Sequence, residues 1–229
     1  MNISYKIIGV FILLAALVCG CKKSFLDAKP STGIVAPTTL SELQGLLENS
    51  TLLNFCTPSL SLMASDDYVF VDFASWQATD TKTERNSYIW AKDLYGGENS
   101  IPDWNYGYKT IFYCNNVLDG LSKIKIKDDS IKQYNLIKGW ALFLRAYALY
   151  DLVRNFSKSY DRSTSTTDLG LPIRLKAGID ELVPRSSLQQ TYDHIFSDLN
   201  NAKKLLDNTS QDSNRPSKVA AYALFARII

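Results

Sequence analysis

Cys21 is the residue most plainly marked for chemistry. It follows Leu17-Val18-Cys19-Gly20, at the end of twelve uncharged residues, Ile7 to Val18, behind a single charge, Lys6. A basic start, a short apolar run and a small residue before a cysteine resemble a bacterial lipobox. Cleavage after Gly20 would leave Cys21 as an acylated N-terminus. Cys19 is the poorer candidate, because Val18 would then sit at the cleavage position. The run is too short to span a bilayer, which takes about 20 apolar residues. Residues 1–20 therefore read as a lipoprotein signal peptide, with a plain secretory signal as the alternative. Acylation matters physically, since each buried methylene contributes about 0.8 kcal/mol and two chains anchor stably.

Other chemistry is sparse. G-x-S-x-G, a P-loop, H-E-x-x-H and C-x-x-C are all missing from the sequence. The single histidine, His194, rules out a multi-histidine metal site. It lies beside an apolar stripe and reads as a boundary residue. Asp66-Asp67-Tyr68 could hold a cation or a sugar, but adjacent acids more commonly make a solvated turn. A carboxylate pair for glycoside hydrolysis would be visible only in space. No enzyme activity, metal or cofactor is expected. Cys56 and Cys114 could pair in an oxidising envelope or stay as buried thiols. With 25 basic and 23 acidic residues, the charge gives no footprint for nucleic acid. A composition of 46% hydrophobic and 21% charged residues is that of a globular chain.

Stepping along the chain, residues 21–38 read as an extended tether with Pro30 and Pro37. Residues 39–229 read as one helical domain. Thr39-Leu40-Ser41-Glu42 fits a capping box, with Leu40, Leu43, Leu46 and Leu47 at helical spacing. Residues 64–100 are less regular and end in Gly96-Gly97; Trp90 within them reads as core. Asp103 is expected to cap a helix striped by Trp104, Tyr108, Ile111, Phe112, Asn115, Leu118 and Leu121. A second long helix begins near Asp129, with Trp140 on its apolar stripe. Its Gly139, Ala141, Ala146 and Ala148 would admit a close neighbour, and Arg145 reads as a structural hydrogen-bonding anchor. Residues 157–170 form a polar loop, and Gly170 to Leu175 a short extended piece. Ser187 caps a third helix bearing Leu188, Ile195 and Leu199, and Pro216-Ser217 open a fourth. The apolar pattern stops at Ile229 with no capping signal, so the chain is expected to be the N-terminal part of something longer. The Ala221 to Ala226 run suggests tetratricopeptide-like stacking, although no clean 34-residue period is visible.

Six segments then line up in order. They are Cys21-Lys22-Lys23-Ser24-Phe25-Leu26-Asp27, Trp104-x3-Tyr108-x2-Ile111-x3-Asn115, Gly139-x-Ala141-x-Phe143-Leu144-Arg145-Ala146, Gly170-Leu171-Pro172, Pro184-Arg185-x-Ser187 and Arg215-Pro216-Ser217-Lys218. In this order, behind a lipobox, the sequence resembles the SusD/RagB family of surface lipoproteins from Bacteroidetes. Members of that family are longer, and many carry acids where Lys22 and Lys23 stand.

The resemblance implies an all-α fold of tetratricopeptide-like helical hairpins with long irregular loops. It implies a lipid-anchored protein exposed on the outer membrane. Such a protein captures oligosaccharide and delivers it to a SusC-like TonB-dependent beta-barrel transporter. A site of that kind sets aromatic faces against sugar rings beside hydrogen-bonding polar groups. Trp76 is the first candidate, because it sits in an irregular polar stretch, with Gln77, Asp80, Arg85 and Asn86 beside it. The alternative is a tetratricopeptide-like envelope lipoprotein that binds a protein partner through a helical groove.

Overall fold

Thr39 opens the first helix by the reciprocal bonding its sequence predicts. Its hydroxyl accepts the Glu42 N–H at 3.2 Å, and the Glu42 carboxylate accepts the Thr39 N–H at 3.1 Å. The computed structural model describes residues 37–53, 59–178, 180–210 and 212–229. The leader, Cys21, most of the tether and Cys56 lie outside the described residues. Among the described residues the first helix is α1, Leu40–Leu47, followed by the short helices α2 (Ser50–Leu53), α3 (Leu60–Met63), α4 (Phe73–Gln77) and α5 (Lys82–Tyr88). Then come α6 (Pro102–Lys123), a 3-10 turn (Asp128–Ser130), α7 (Ile131–Phe156), α8 (Leu188–Leu205) and α9 (Lys218–Ile228). Among the described residues the only β pairing is an isolated bridge between Leu169 and Ser187.

Asp103 does not cap its own helix. Pro102 starts α6 without a side-chain cap, and the Asp103 carboxylate reaches back to α3. There it accepts the Leu60 N–H at 2.9 Å and the Ser59 hydroxyl at 3.1 Å. A helix of four residues has little stability of its own, so this distant cap is what holds it. Ser187 and Ser217 do cap α8 and α9, accepting from Gln190 and Ala220.

The long helices form antiparallel hairpins. Gly107 of α6 meets Leu152 of α7, while Asn115 further along α6 meets Arg145 earlier in α7. Likewise Arg145 meets Asp198, and Gly139 meets Leu205 and Leu206. The small residues allow this approach: a Cβ on Gly107 would lie 2.7 Å from Leu152, and one on Gly120 would lie 2.6 Å from Leu43. One core joins Ile111, Leu149, Leu152, Leu171, Ile195 and Leu199. A second joins Leu43, Cys114, Val117, Leu121, Ile137 and Trp140. Each fully buried leucine contributes about 1.5–3 kcal/mol. The outer face of α9 leaves Val219 and Tyr222 exposed.

Arg145 sits at the centre as an anchor. It donates to both Asp198 oxygens, at 2.7 and 2.8 Å, and to Asn115 Oδ1 at 2.8 Å. Asn115 passes the link on to the Arg174 carbonyl at 2.9 Å. His194 is half-buried, with Nε2 3.5 Å from Asp198. Burial holds its imidazole below the ordinary range, against the pull of Asp198.

The extended piece after the polar loop is pinned at Gly170. Its N–H donates to the Ser186 carbonyl at 2.8 Å, and its carbonyl accepts from Arg185 Nε at 2.6 Å. A Cβ at this position would fall 2.2 Å from Thr191 Oγ1 and 2.6 Å from the Ser187 carbonyl oxygen. Neither atom can retreat, because Thr191 Oγ1 also bonds the Leu171 N–H and Ser187 starts α8. Gly170→Ala is therefore expected to destabilise the chain by about 1–3 kcal/mol. Urea unfolding checks this; an unchanged midpoint would show that the junction can open without cost.

Candidate functional site

The segment between α3 and α6 is built from two short helices and the turns around them. Asp72 caps α4, accepting the Ser75 hydroxyl and N–H, both at 2.7 Å, and those bonds lower its carboxyl pKa. Thr81 caps α5 by accepting the Glu84 N–H at 3.1 Å. Glu98 adds a second cap from the far end of the segment, accepting from Thr83 Oγ1 at 2.6 Å and from the Lys82 N–H at 2.9 Å. The Thr83 bond is the main reason its carboxyl pKa is also lowered. Asn86 closes the loop by donating to the carbonyls of Asp93 and Leu94, just before Gly96 and Gly97 turn the chain at positive φ.

On this frame the aromatic residues gather. Tyr68, Phe70 and Tyr88 contact one another with ring centroids 4.7–5.6 Å apart. Trp76 stacks on Phe73 at 5.2 Å and donates its N–H to the Arg85 carbonyl at 3.2 Å. Arg85 itself bonds the Thr79 carbonyl. The structure thus joins Trp76 to Arg85 directly, and places Asn86 next to Arg85 on α5. Gln77 and Asp80 are exposed beside them. Trp76 lies on a helix rather than in irregular chain, and it is half-buried.

Trp90 is not core. It is 78% exposed, and it is the one non-glycine residue with positive φ, +53°, among the described residues. It occupies the turn just past the end of α5. The Trp90 N–H bonds the Ser87 carbonyl at 3.1 Å, and the Ala91 N–H bonds the Asn86 carbonyl at 2.8 Å. This is a Schellman motif, whose left-handed position normally holds glycine. The indole N–H is tied to the Ala64 carbonyl at 2.9 Å. The ring is thereby fixed while its faces meet solvent. Val69, Val71, Phe73 and Ile89 are exposed in the same segment. A groove of about 650 Å³ between α3, the start of α5 and the start of α6 includes Leu60, Met63, Thr83 and Ile101. A rigid, exposed aromatic group beside apolar surface and planar amides suits stacking against a ring-shaped, polyhydroxylated ligand. Its sequence signal was faint: Thr81-x-x-Glu84 marks the helix start, but no glycine marks its end.

Comparison with known proteins places this fold. Residues 24–229 match the SusD-like family described as "Starch-binding associating with outer membrane". A curated relative, SusD-like protein P2 of Formosa agariphila, is 26% identical over 237 residues, covering 98% of this chain and 42% of its own length. A solved SusD superfamily protein from Bacteroides vulgatus superposes with TM-score 0.63 at 23% identity, covering 84% of this chain and 43% of its own. A laminarin-binding SusD-like protein superposes with TM-score 0.61 at 20% identity, covering 82% and 39%. At these identities the two structures speak for the fold alone. The chain spans about two fifths of the length of the relatives it matches. The match from residue 24 to 229 takes in the helical hairpins and the aromatic segment together, and the chain belongs to the SusD-like family.

Proposed function

We propose that this protein binds oligosaccharide at the outer membrane surface and passes it to a SusC-type TonB-dependent transporter, without performing chemistry on it. The observation that carries the reading is Trp90: a tryptophan fixed by its N–H and held exposed in a backbone conformation that costs free energy. Membership of a family described as starch-binding and outer-membrane-associated supports it. Trp76, Gln77, Asp80, Arg85 and Asn86 are the polar and aromatic neighbours that would flank the ligand. Electrophoresis of the full chain through gels containing starch or laminarin tests the reading. Retarded migration in one of them, with no sugar released, is the expected result. Free migration in both gels would overturn it.

Among the described residues no helix is long and apolar enough to cross a membrane. In this reading the anchor is the lipid on Cys21. Cys21→Ala is expected to lose all label from a radioactive fatty acid and to leave the membrane fraction, since an acyl chain supplies the attachment. Label retained on the variant would disprove acylation at this residue.

A further inference from the structure

A second concave site lies on elements that share nothing with the Trp90 segment. It is a groove of about 540 Å³ between α1, the start of α7 and the turn joining α8 to α9. That volume falls within the usual range for small-ligand sites, about 300–1,000 Å³. An adjoining recess of about 200 Å³ shares Trp140, Asp212 and Arg215 with it. Its floor is apolar, made by Leu136, Ile137, Trp140 and Leu206. Trp140 is 5% exposed, and its indole N–H is sealed from solvent with no acceptor among the described residues. Buried donors are nearly always satisfied, so this one asks for a partner.

One cation roofs the face of the Trp140 ring. The Arg215 guanidinium lies 5.7 Å from the ring centroid. It is held by exposed carboxylates, Glu48 and, at 3.9 Å, Asp212. Surface ion pairs of this kind are weak, so the roof can swing aside at little cost. The rim is rich in groups that both give and take hydrogen bonds: Gln44, Gln133, Asn208, Thr209 and Ser210. Its charges are already paired, Lys132 with Asp207 at 3.5 Å and Arg215 with its two acids. A site with an aromatic floor, an amide and hydroxyl rim and cancelled charge favours a neutral polyhydroxylated ligand over an ion.

We propose that this groove is a second carbohydrate subsite, in which a sugar ring replaces Arg215 on the Trp140 face and a sugar hydroxyl accepts the indole N–H at the ring edge. The proposal rests on the reading that the protein is a glycan binder, but not on Trp90 being its platform. The test uses the full chain labelled with nitrogen-15. Its four tryptophans give four indole N–H signals, assigned by single substitutions and followed while maltohexaose or laminarihexaose is added. The Trp140 signal is expected to shift saturably with one of them, in the unaltered chain and equally in Trp90→Ala. Trp140→Phe removes the donor and leaves a smaller aromatic ring, so it is expected to lower the melting temperature as well as to weaken binding in the Trp90→Ala background about fivefold, measured well below its transition. An Asn208→Ala, Thr209→Ala double variant on the exposed rim should weaken it by a similar factor. A Trp140 signal that neither sugar moves overturns the subsite, whatever the Trp90 signal does. A shift of Trp140 that vanishes in Trp90→Ala also overturns it, because the change then comes from the other site. Shifts at Trp140 with none at Trp90 support the subsite and sink the Trp90 platform instead.

Discussion

Replacing Arg145 with methionine is expected to destabilise the fold by about 3–5 kcal/mol, the cost of leaving a buried charge without its partner. Arg145 is 9% exposed at its side chain, and Asp198 is 4% exposed. The pair is bidentate, and Asn115 takes a third donor, at Nη1. Removing the guanidinium strands the Asp198 carboxylate against His194 alone, at 3.5 Å. This predicts a pH signature as well as a loss. In the native chain burial and the Arg145 charge lower the His194 pKa, and Asp198 raises it. In the variant one lowering cause is gone and the attraction remains, so the folded-state pKa of His194 rises. A raised pKa supplies stability that is present at low pH and lost as pH climbs through the folded value. The deficit of Arg145→Met is therefore expected to be smaller at mildly acidic than at alkaline pH. Urea unfolding at both pH values checks it. Adding Asp198→Leu should recover much of the loss, because an apolar pair has no stranded charge. A deficit that is the same at both pH values and is not relieved by the second substitution would refute this account.

Much of this architecture was legible from residue spacing, because the long helices obey local rules. Thr39 with Glu42, Ser187 and Ser217 are caps that read off directly. Gly139, Ala141, Ala146 and Ala148 of α7 mark where a helix touches, and Arg145 among apolar neighbours reads as an anchor. The segment between α3 and α6 was not legible, for a physical reason. Its helices are too short to form on propensity. They are held by carboxylates distant in sequence: Asp103 caps α3 from 43 residues away, and Glu98 caps α5 from 16. An acid that serves a remote helix looks, in sequence, like a cap for the nearest one. Trp90 failed for a related reason. Aromatic residues are usually buried, and a turn position that glycine normally fills gave no hint that a tryptophan was being forced into the open.

Trp90→Gly is expected to weaken glycan retention sharply while leaving the fold as stable as before, and that pairing is what separates a binding role from a structural one. A residue in the left-handed conformation costs about 1–2 kcal/mol unless it is glycine. Glycine removes that cost at φ +53°. It also removes the Trp90 hydrogen bond to Ala64, a net loss of about 0.5–1.5 kcal/mol. The two nearly cancel, and a side chain 78% exposed contributes little burial of its own. The melting temperature should therefore stay level or rise slightly. If Trp90 is the stacking platform, binding should fall by about 2 kcal/mol, roughly thirtyfold. Trp90→Phe supplies the control, keeping a flat ring and losing the tether, so it should retain part of the affinity. Trp76→Ala should behave in the opposite sense for stability, because Trp76 holds Arg85 and stacks on Phe73 within the segment. Migration in starch and laminarin gels, read beside thermal melts of the same three variants, decides the matter. A Trp90→Gly chain that melts several degrees lower and still binds would mean that the tryptophan is there to hold the turn. A chain that melts unchanged and binds far more weakly would mean that the left-handed strain is kept for the ligand.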